Sequence, residues 1–301
     1  MDNAIFSKYE ADGRQTVWDP SSISSLLRCP QHYQYNNVQR LAKVRESTSM
    51  VMPRVWGTCW HKGIETYEIA RFDGLDWELA LDSAILAAAD EYKRLPFAAE
   101  ASSESSRNLD TLMRAVIWYC LQYKDDELRT LRLPDGKPAL EVRFEVPIPG
   151  TEWRLSGRID RVTENADGEI LVVDHKTTTL TIGEDYYQSF TPNIQFPMYY
   201  WGLRQFLGKR VKGVVINACQ TAVRFTRYGR HLITYTDAQL EEYFAEMVEI
   251  LKTAASYHRD GQWPRNSMGC SLWGGCPYRR LCSATPENRK AILEDEYLVR
   301  P

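Results

Sequence analysis

The chain has 301 residues with a formal net charge of −3, and 44% of it is hydrophobic, 26% charged and 12% aromatic. That is enough to bury a complete core without a partner, and the near-balanced charge gives no global attraction to a polyanion. No apolar run approaches the roughly 18 residues of a spanning helix, the first residues (MDNAIFSKYEADGR) are polar, and seven cysteines without a secretory pattern argue against a disulfide framework, so a cytoplasmic protein with no membrane contact is expected.

In chain order, residues 21–36 (SSISSLLRCPQHYQYN) read as a short helix capped by Ser21 or Ser22 and interrupted at Pro30. Helical periodicity follows over 57–71, 77–94 and 106–130, with the serine-rich stretch 101–106 as a polar linker. From 139 the pattern alternates. ALEVRFEVPI, EWRLSGRIDRVT and EILVVDHKTT read as three strands, joined by turns at Pro149-Gly150 and Asn165-Ala166-Asp167-Gly168. A helix over 193–207 tolerates Pro197 in its first turn, and strands at 213–220 and 223–235 with a helix at 237–258 complete the core. An α/β or α+β fold without internal repeats follows. It is read as one domain over 1–301: an N-terminal segment (1–56), a helical region (57–135), a core (136–258) and a cysteine-rich C-terminal segment (259–301).

The strand Ile170–Thr177 is apolar until it ends in Asp174, His175 and Lys176. If it forms a hairpin with the preceding strand about Ala166-Asp167, paired positions sum to about 334, and Asp160 falls opposite Asp174. Lys176 shares their face. Like charges across a ladder are unfavourable, so two carboxylates invite a cation: a hard divalent ion, Mg²⁺ or Mn²⁺, suits them together with the His175 backbone carbonyl, unless Lys176 alone bridges both acids as a salt-bridged strand end. His61, on a helix whose same face carries Glu65 and Glu68, is poorly explained as a core residue and can add an imidazole ligand. Gln195 and Tyr199 share a helix face and can reach a phosphate or a base.

Local charge departs from the average. Between Asp185 and Asp237 there is no Asp or Glu over 51 residues, where 40 in 301 would give roughly seven, yet Arg204, Lys209, Arg210, Lys212, Arg224, Arg227 and Arg230 lie within. Aromatic residues interleave with them. That pattern suits a phosphate backbone with stacked bases, although solvated helix and strand faces would carry the same residues.

The ordered series His61, Gly157-x-x-Asp160, Asp174-x-Lys176 and Gln195-x-x-x-Tyr199 resembles the RecB-like branch of the PD-(D/E)XK nucleases, including AddB-type and CRISPR-associated iron–sulfur exonucleases. The entry Ser24–Pro30 with Tyr33 and the tail from Gly261 to Cys282 extend the resemblance. It implies a restriction-endonuclease-like mixed sheet flanked by helices and a metal-dependent nuclease acting on DNA, single strands above all, with a helicase, recombination or CRISPR-adaptation partner. In it Asp160, Asp174, Lys176, Gln195 and Tyr199 act in catalysis, and His61, Asp160, Asp174 and the His175 carbonyl bind metal.

The resemblance also implies a [4Fe-4S] cluster on Cys29, Cys270, Cys276 and Cys282. The Cys270–Cys276 spacing is C-x5-C rather than the shorter C-x-x-C of such proteins, and a zinc site or free thiols remain alternatives. Joining Cys29 to Cys270 would close a loop of about 240 residues, a staple contributing on the order of 5 kcal/mol. Cys59, Cys120 and Cys219 read as small buried hydrophobes. A non-catalytic DNA-binding subunit on the same scaffold is the competing reading; a small-molecule enzyme lacks any glycine-rich phosphate loop or nucleophile motif, and no G-x-x-x-x-G-K-[ST] is present.

Overall fold

A computed structural model describes residues 8–10, 14–44, 48–95, 105–272 and 275–300. In chain order these form β1 (Val17–Trp18), α1 (Pro20–Arg28), α2 (Pro30–Tyr33), β2 (Leu41–Lys43), α3 (Thr48–Phe72), α4 (Trp77–Lys93), α5 (Leu109–Gln122), β3 (Arg129–Thr130), β4 (Leu140–Pro147), β5 (Arg154–Glu164), β6 (Ile170–Thr178), α6 (Glu184–Gln188), α7 (Gln195–Leu207), β7 (Val211–Thr221), β8 (Thr226–Ile233), α8 (Asp237–Asp260), α9 (Arg279–Ser283), α10 (Pro286–Glu296) and β9 (Tyr297–Val299). They fall into two compact units. One gathers residues 1–47, 145–157 and 236–301; the other gathers 48–144 and 158–235.

The second unit is a mixed sheet flanked by helices. β5 and β6 are antiparallel with Arg161 opposite Val173 and Val162 opposite Val172, which is the register sum of 334 expected from the turn. β6 and β7 are parallel and β7 and β8 antiparallel, so β8 has a strand neighbour on one side only among the described residues. The short β3 pairs with the end of β5. β6 is buried from Ile170 to His175, as expected of a strand covered on both faces.

Helices α3, α4 and α5 cover one face. Trp56, Trp60 and Ile64 meet Ala80, Ala84 and Ala88 and then Leu112, Val116 and Tyr119, all fully buried. The alanines recur every fourth residue on α4, and a Cβ on Gly63 would crowd Ala88 and Val116 at 3.1 Å, so small residues set the close approach of these helices. Cys59, Cys120 and Cys219 are buried in this core. On the other face α7 packs through Phe196, Met198 and Tyr199; Gly202 is required there because any Cβ would enter the Phe144 ring.

Several boundaries differ from expectation. α1 starts at Pro20, and Asp19 rather than Ser21 or Ser22 caps it: the Asp19 carboxylate accepts from the Ser22 amide at 2.8 Å and Ser22 Oγ accepts from the Asp19 amide. α3 begins nine residues earlier than its periodicity suggested, running through Pro53. α5 starts with the Asn108–Thr111 capping box and stops at Gln122 instead of 130, because Asp126 accepts from the Leu128 amide and the chain turns into β3. β8 is shorter than 223–235, its first residues forming the turn from β7. Most of the 101–106 linker lies outside the described residues.

In the first unit β1 runs parallel to the start of β5 and β2 is antiparallel to β9, pairing Leu41 with Val299. Tyr35, Leu41, Tyr278, Leu281 and Tyr297 form its small core beside Cys276 and Cys282. α8 is closed at its start by the Thr236–Gln239 capping box and at its end by Gly261 at φ 64°, a conformation that glycine adopts without strain. No helix among the described residues is long and apolar enough to cross a membrane.

Candidate active site and cysteine cluster

Continuing the β5–β6 register by one step sets Asp160 opposite Asp174, and the His175 amide donates to Asp160 Oδ2 at 2.8 Å. Lys176 Nζ stands 2.6 Å from Asp174 Oδ2, in ionic contact but outside hydrogen-bond geometry, so this buried oxygen has no hydrogen-bond donor. Gln195 binds the group together. Its Nε2 donates to Asp174 Oδ1 at 3.1 Å and lies 2.8 Å from the Tyr199 hydroxyl, while its Oε1 accepts from Lys176 at 3.0 Å. The Asn193 carboxamide caps the amides of Gln195 and Phe196, fixing the first turn of α7 where Gln195 needs to be.

His61 comes from α3, with Nδ1 3.7 Å from Asp160 Oδ2 and its ring perpendicular to that of His175 at 5.8 Å. Nearly a third of its side chain is exposed, yet the protein around it lowers its pKa, desolvation being the largest cause, so the imidazole is held neutral and able to ligate. Burial first, and then the neighbouring Asp174, raise the Asp160 carboxyl to about 7. Two carboxylates against one ammonium leave the cluster short of positive charge. The five catalytic candidates and His61 therefore meet in one place.

Sequence reasoning missed Glu141. It pairs with Arg158 at 2.8 Å, and its carboxyl is raised by burial, with Asp160 and Glu65 adding to the effect and Arg158 and His61 opposing it. Its backbone sits at φ 50°, a conformation rare for a residue with a side chain and enriched where structure serves function. Nothing in an alternating strand pattern signals such a backbone.

The basic window is not one surface. Arg230 turns to the helix-covered face, where Nη1 and Nη2 each donate to Asp126 at 2.7 Å and the guanidinium lies 3.8 Å from the Tyr123 ring centre. Arg210 pairs with Glu164, and Lys212 lies 3.7 Å from Glu169. Arg204 lies over Tyr200 and Arg227 over Phe225, at 5.4 and 4.8 Å; Arg224 is exposed in the β7–β8 turn, and the Lys209 side chain lies outside the described residues.

In the first unit, Cys29 ends α1 and the other three cysteines come from the C-terminal segment. Asn266 links two of them: its amide donates to Cys29 Sγ at 3.3 Å, and Cys270 Sγ is 4.0 Å from its carbonyl. The Cys276 amide donates to the Cys270 carbonyl at 3.0 Å. Burial raises Cys276, with Cys270 and Cys29 adding to the effect, and raises Cys282 to about 11, with Cys276, Cys29 and Cys270 adding to it. All four are free thiols. Among the described residues no three His, Cys, Asp or Glu side chains form a ready-made holder for a metal ion.

The sequence model of the PD-(D/E)XK nuclease superfamily matches residues 18–283. A solved structure from Eubacterium rectale, provisionally described as an exonuclease, superposes with a TM-score of 0.53 at 13% identity, over 95% of this chain and 94% of that one, which is a likeness of fold. A second structure, SSO0001, reaches a TM-score of 0.34 at 14% identity over 78% of this chain and 96% of that one, too low to argue from. No curated protein matches.

Proposed function

Because the chain belongs to the PD-(D/E)XK nuclease superfamily, we propose that it is a divalent-metal-dependent nuclease hydrolysing DNA phosphodiester bonds, with single-stranded DNA as the favoured substrate and exonucleolytic action. The observation that carries this reading is the Asp160–Asp174–Lys176 cluster tied to Gln195 and Tyr199.

The cluster suits Mg²⁺ or Mn²⁺. Asp174 Oδ2 is buried without a hydrogen bond, burial and then the neighbouring Asp174 raise the Asp160 carboxyl, and both are hard oxygen donors. His61 and the His175 carbonyl complete the set, and the imidazole favours Mn²⁺. Mg²⁺ keeps several waters and binds through one or two carboxylates plus substrate phosphate, so a closed protein cage is not required. When bound, such an ion supplies Lewis acidity to the scissile phosphate and acidifies water.

The residues of the chain do the rest. Lys176, held by Asp174 and Gln195, orients the attacking water and places positive charge where the phosphate gains negative charge. Gln195 keeps both Lys176 and Tyr199 in register, and Tyr199, whose hydroxyl stays protonated through burial, aligns the strand by donating to it.

For the cysteines we propose a structural [4Fe-4S] cluster on Cys29, Cys270, Cys276 and Cys282. Four free thiols from two distant chain segments of one unit supply the donor set, and a cubane spreads its thiolates more widely than a single metal ion does.

Labelled single-stranded DNA incubated with Mn²⁺ tests the chemistry. Wild type should degrade it while Asp174→Ala and Lys176→Ala do not; equal activity in all three removes these residues from the mechanism, and binding without cleavage by wild type points to a non-catalytic subunit. Protein purified without oxygen should carry about four irons and four sulfides per chain. A colourless preparation with one zinc overturns the cluster.

A further inference from the structure

A cleft of about 760 Å³ runs along the outer edge of β8, between Trp118 and Leu121 of α5 on one side and Ile182 and Tyr187 on the other. Among the described residues no acidic side chain lines it, and two arginines do, Arg227 and the Asp126-paired Arg230; Glu184 and Asp185 share the short α6 with Tyr187 but do not line it. The sheet register links this cleft to the catalytic cluster. Lys176 pairs with Ala218 and Ala218 with Gly229, so Gly229 lies two strand spacings, about 10 Å, from Lys176 on the same face. The one intervening position, Ala218, is small. Over Gly229 sits Tyr187, whose ring stacks on His231 at 4.9 Å and 18°.

The far end of the cleft is held rigid. Arg114 donates to the carbonyls of Ala222, Val223 and Phe225 and to Thr226 Oγ1, clamping the β7–β8 turn onto α5. Large rings stay exposed around this clamp: Trp118 is 42% exposed and Phe225 37%, with Arg227 lying over the Phe225 ring. Rigid, solvent-facing rings beside a guanidinium are what unpaired bases and their phosphates bind, whereas a duplex hides its base faces.

We propose that this cleft is a binding station for single-stranded nucleic acid, which receives the strand flanking the scissile phosphate by stacking on Trp118 and pairing a phosphate with Arg227. The proposal rests on the nuclease reading above. An extended peptide added to the open edge of β8 is the rival occupant, and the strand opposes it: Arg227, exposed on β8, puts charge on an edge where charge discourages strand addition.

The test measures anisotropy of a fluorescein-labelled single-stranded oligonucleotide, and of the same sequence as a blunt duplex, with full-length protein in EDTA so that binding is read without cleavage. Trp118→Ala should weaken single-strand binding about tenfold and Trp118→Phe should restore most of it. Arg227→Ala should flatten the dependence of log affinity on log salt by about 0.7. Duplex affinity should change less than twofold in all three. Single-strand affinity and salt dependence equal to wild type in both alanine variants overturn the proposal, whatever else the cleft accepts. If wild type cleaves DNA and the variants bind as it does, only this inference fails; if wild type neither binds nor cleaves nucleic acid, the nuclease reading fails first.

Discussion

On one face of the β5–β6 pair stand Asp160, Asp174 and Lys176, two carboxylates against one ammonium. On the other, His175 lies within 2.8 Å of Asn217, which joins a network where Arg161 and Arg230 face Glu68 and Asp126, two cations against two anions. Both faces are largely buried, and they differ in whether the charges close. In the balanced network Arg230 and Asp126 meet in a two-point pair, and Arg161 Nη1 lies 2.9 Å from Glu68. Buried charge that cancels within the protein holds a fold together, while an uncancelled surplus at a strand end asks for something from outside.

The comparison can be broken most decisively by swapping what each face loses. Asp174→Asn should lower the cleavage rate by about a thousandfold, as expected when several kcal/mol of transition-state stabilisation is lost, yet leave the melting temperature unchanged or raised, because it removes the surplus of carboxylate over ammonium in the cluster. Asp126→Ala should do the reverse, costing about 3–5 kcal/mol in urea denaturation by taking from Arg230 its two-point carboxylate partner. A thermally crippled Asp174→Asn or a robust Asp126→Ala would show that the faces are not divided in this way.

A smaller effect follows from pH. With its pKa raised from 3.8 to about 7, Asp160 stabilises the metal-free fold fully below pH 4, and that contribution is lost as pH rises through about 7. A divalent ion competes with the same proton. Mn²⁺ should therefore raise the melting temperature more at pH 8 than at pH 6, and an equal rise at both would separate the ion from Asp160. Smallest of all, Gln195→Ala should reduce the rate about tenfold, since Lys176 keeps its contact with Asp174; a larger loss would make Gln195 a direct participant.

How much of this was legible in the sequence depended on distance along the chain. The Asp160–Asp174 juxtaposition follows from one turn and the two-residue period of strands, and β5 and β6 adopt the expected register. The partners of the basic window could not be read that way: Asp126 is 104 residues from Arg230 and Glu164 is 46 from Arg210, and composition says nothing about which surfaces meet. β1, β2, β3 and β9, at two or three residues each, are too short for any periodicity. The clamp by Arg114 and the backbone of Glu141 belong to tertiary structure alone.

The interleaving of the two units orders the birth of the molecule on the ribosome. All residues of the second unit have been synthesised by position 235, whereas residues of the first unit near the start of the chain wait for later partners: Gln31 donates its amide to the Pro264 carbonyl, and Leu41 finds its strand partner only at Val299. At 5–20 residues per second, roughly 3–13 seconds of translation separate completion of the second unit at Tyr235 from Val299. During that interval Cys29 waits for Cys270, Cys276 and Cys282, so a ligand held by all four thiols could be captured only once Cys282 has been made.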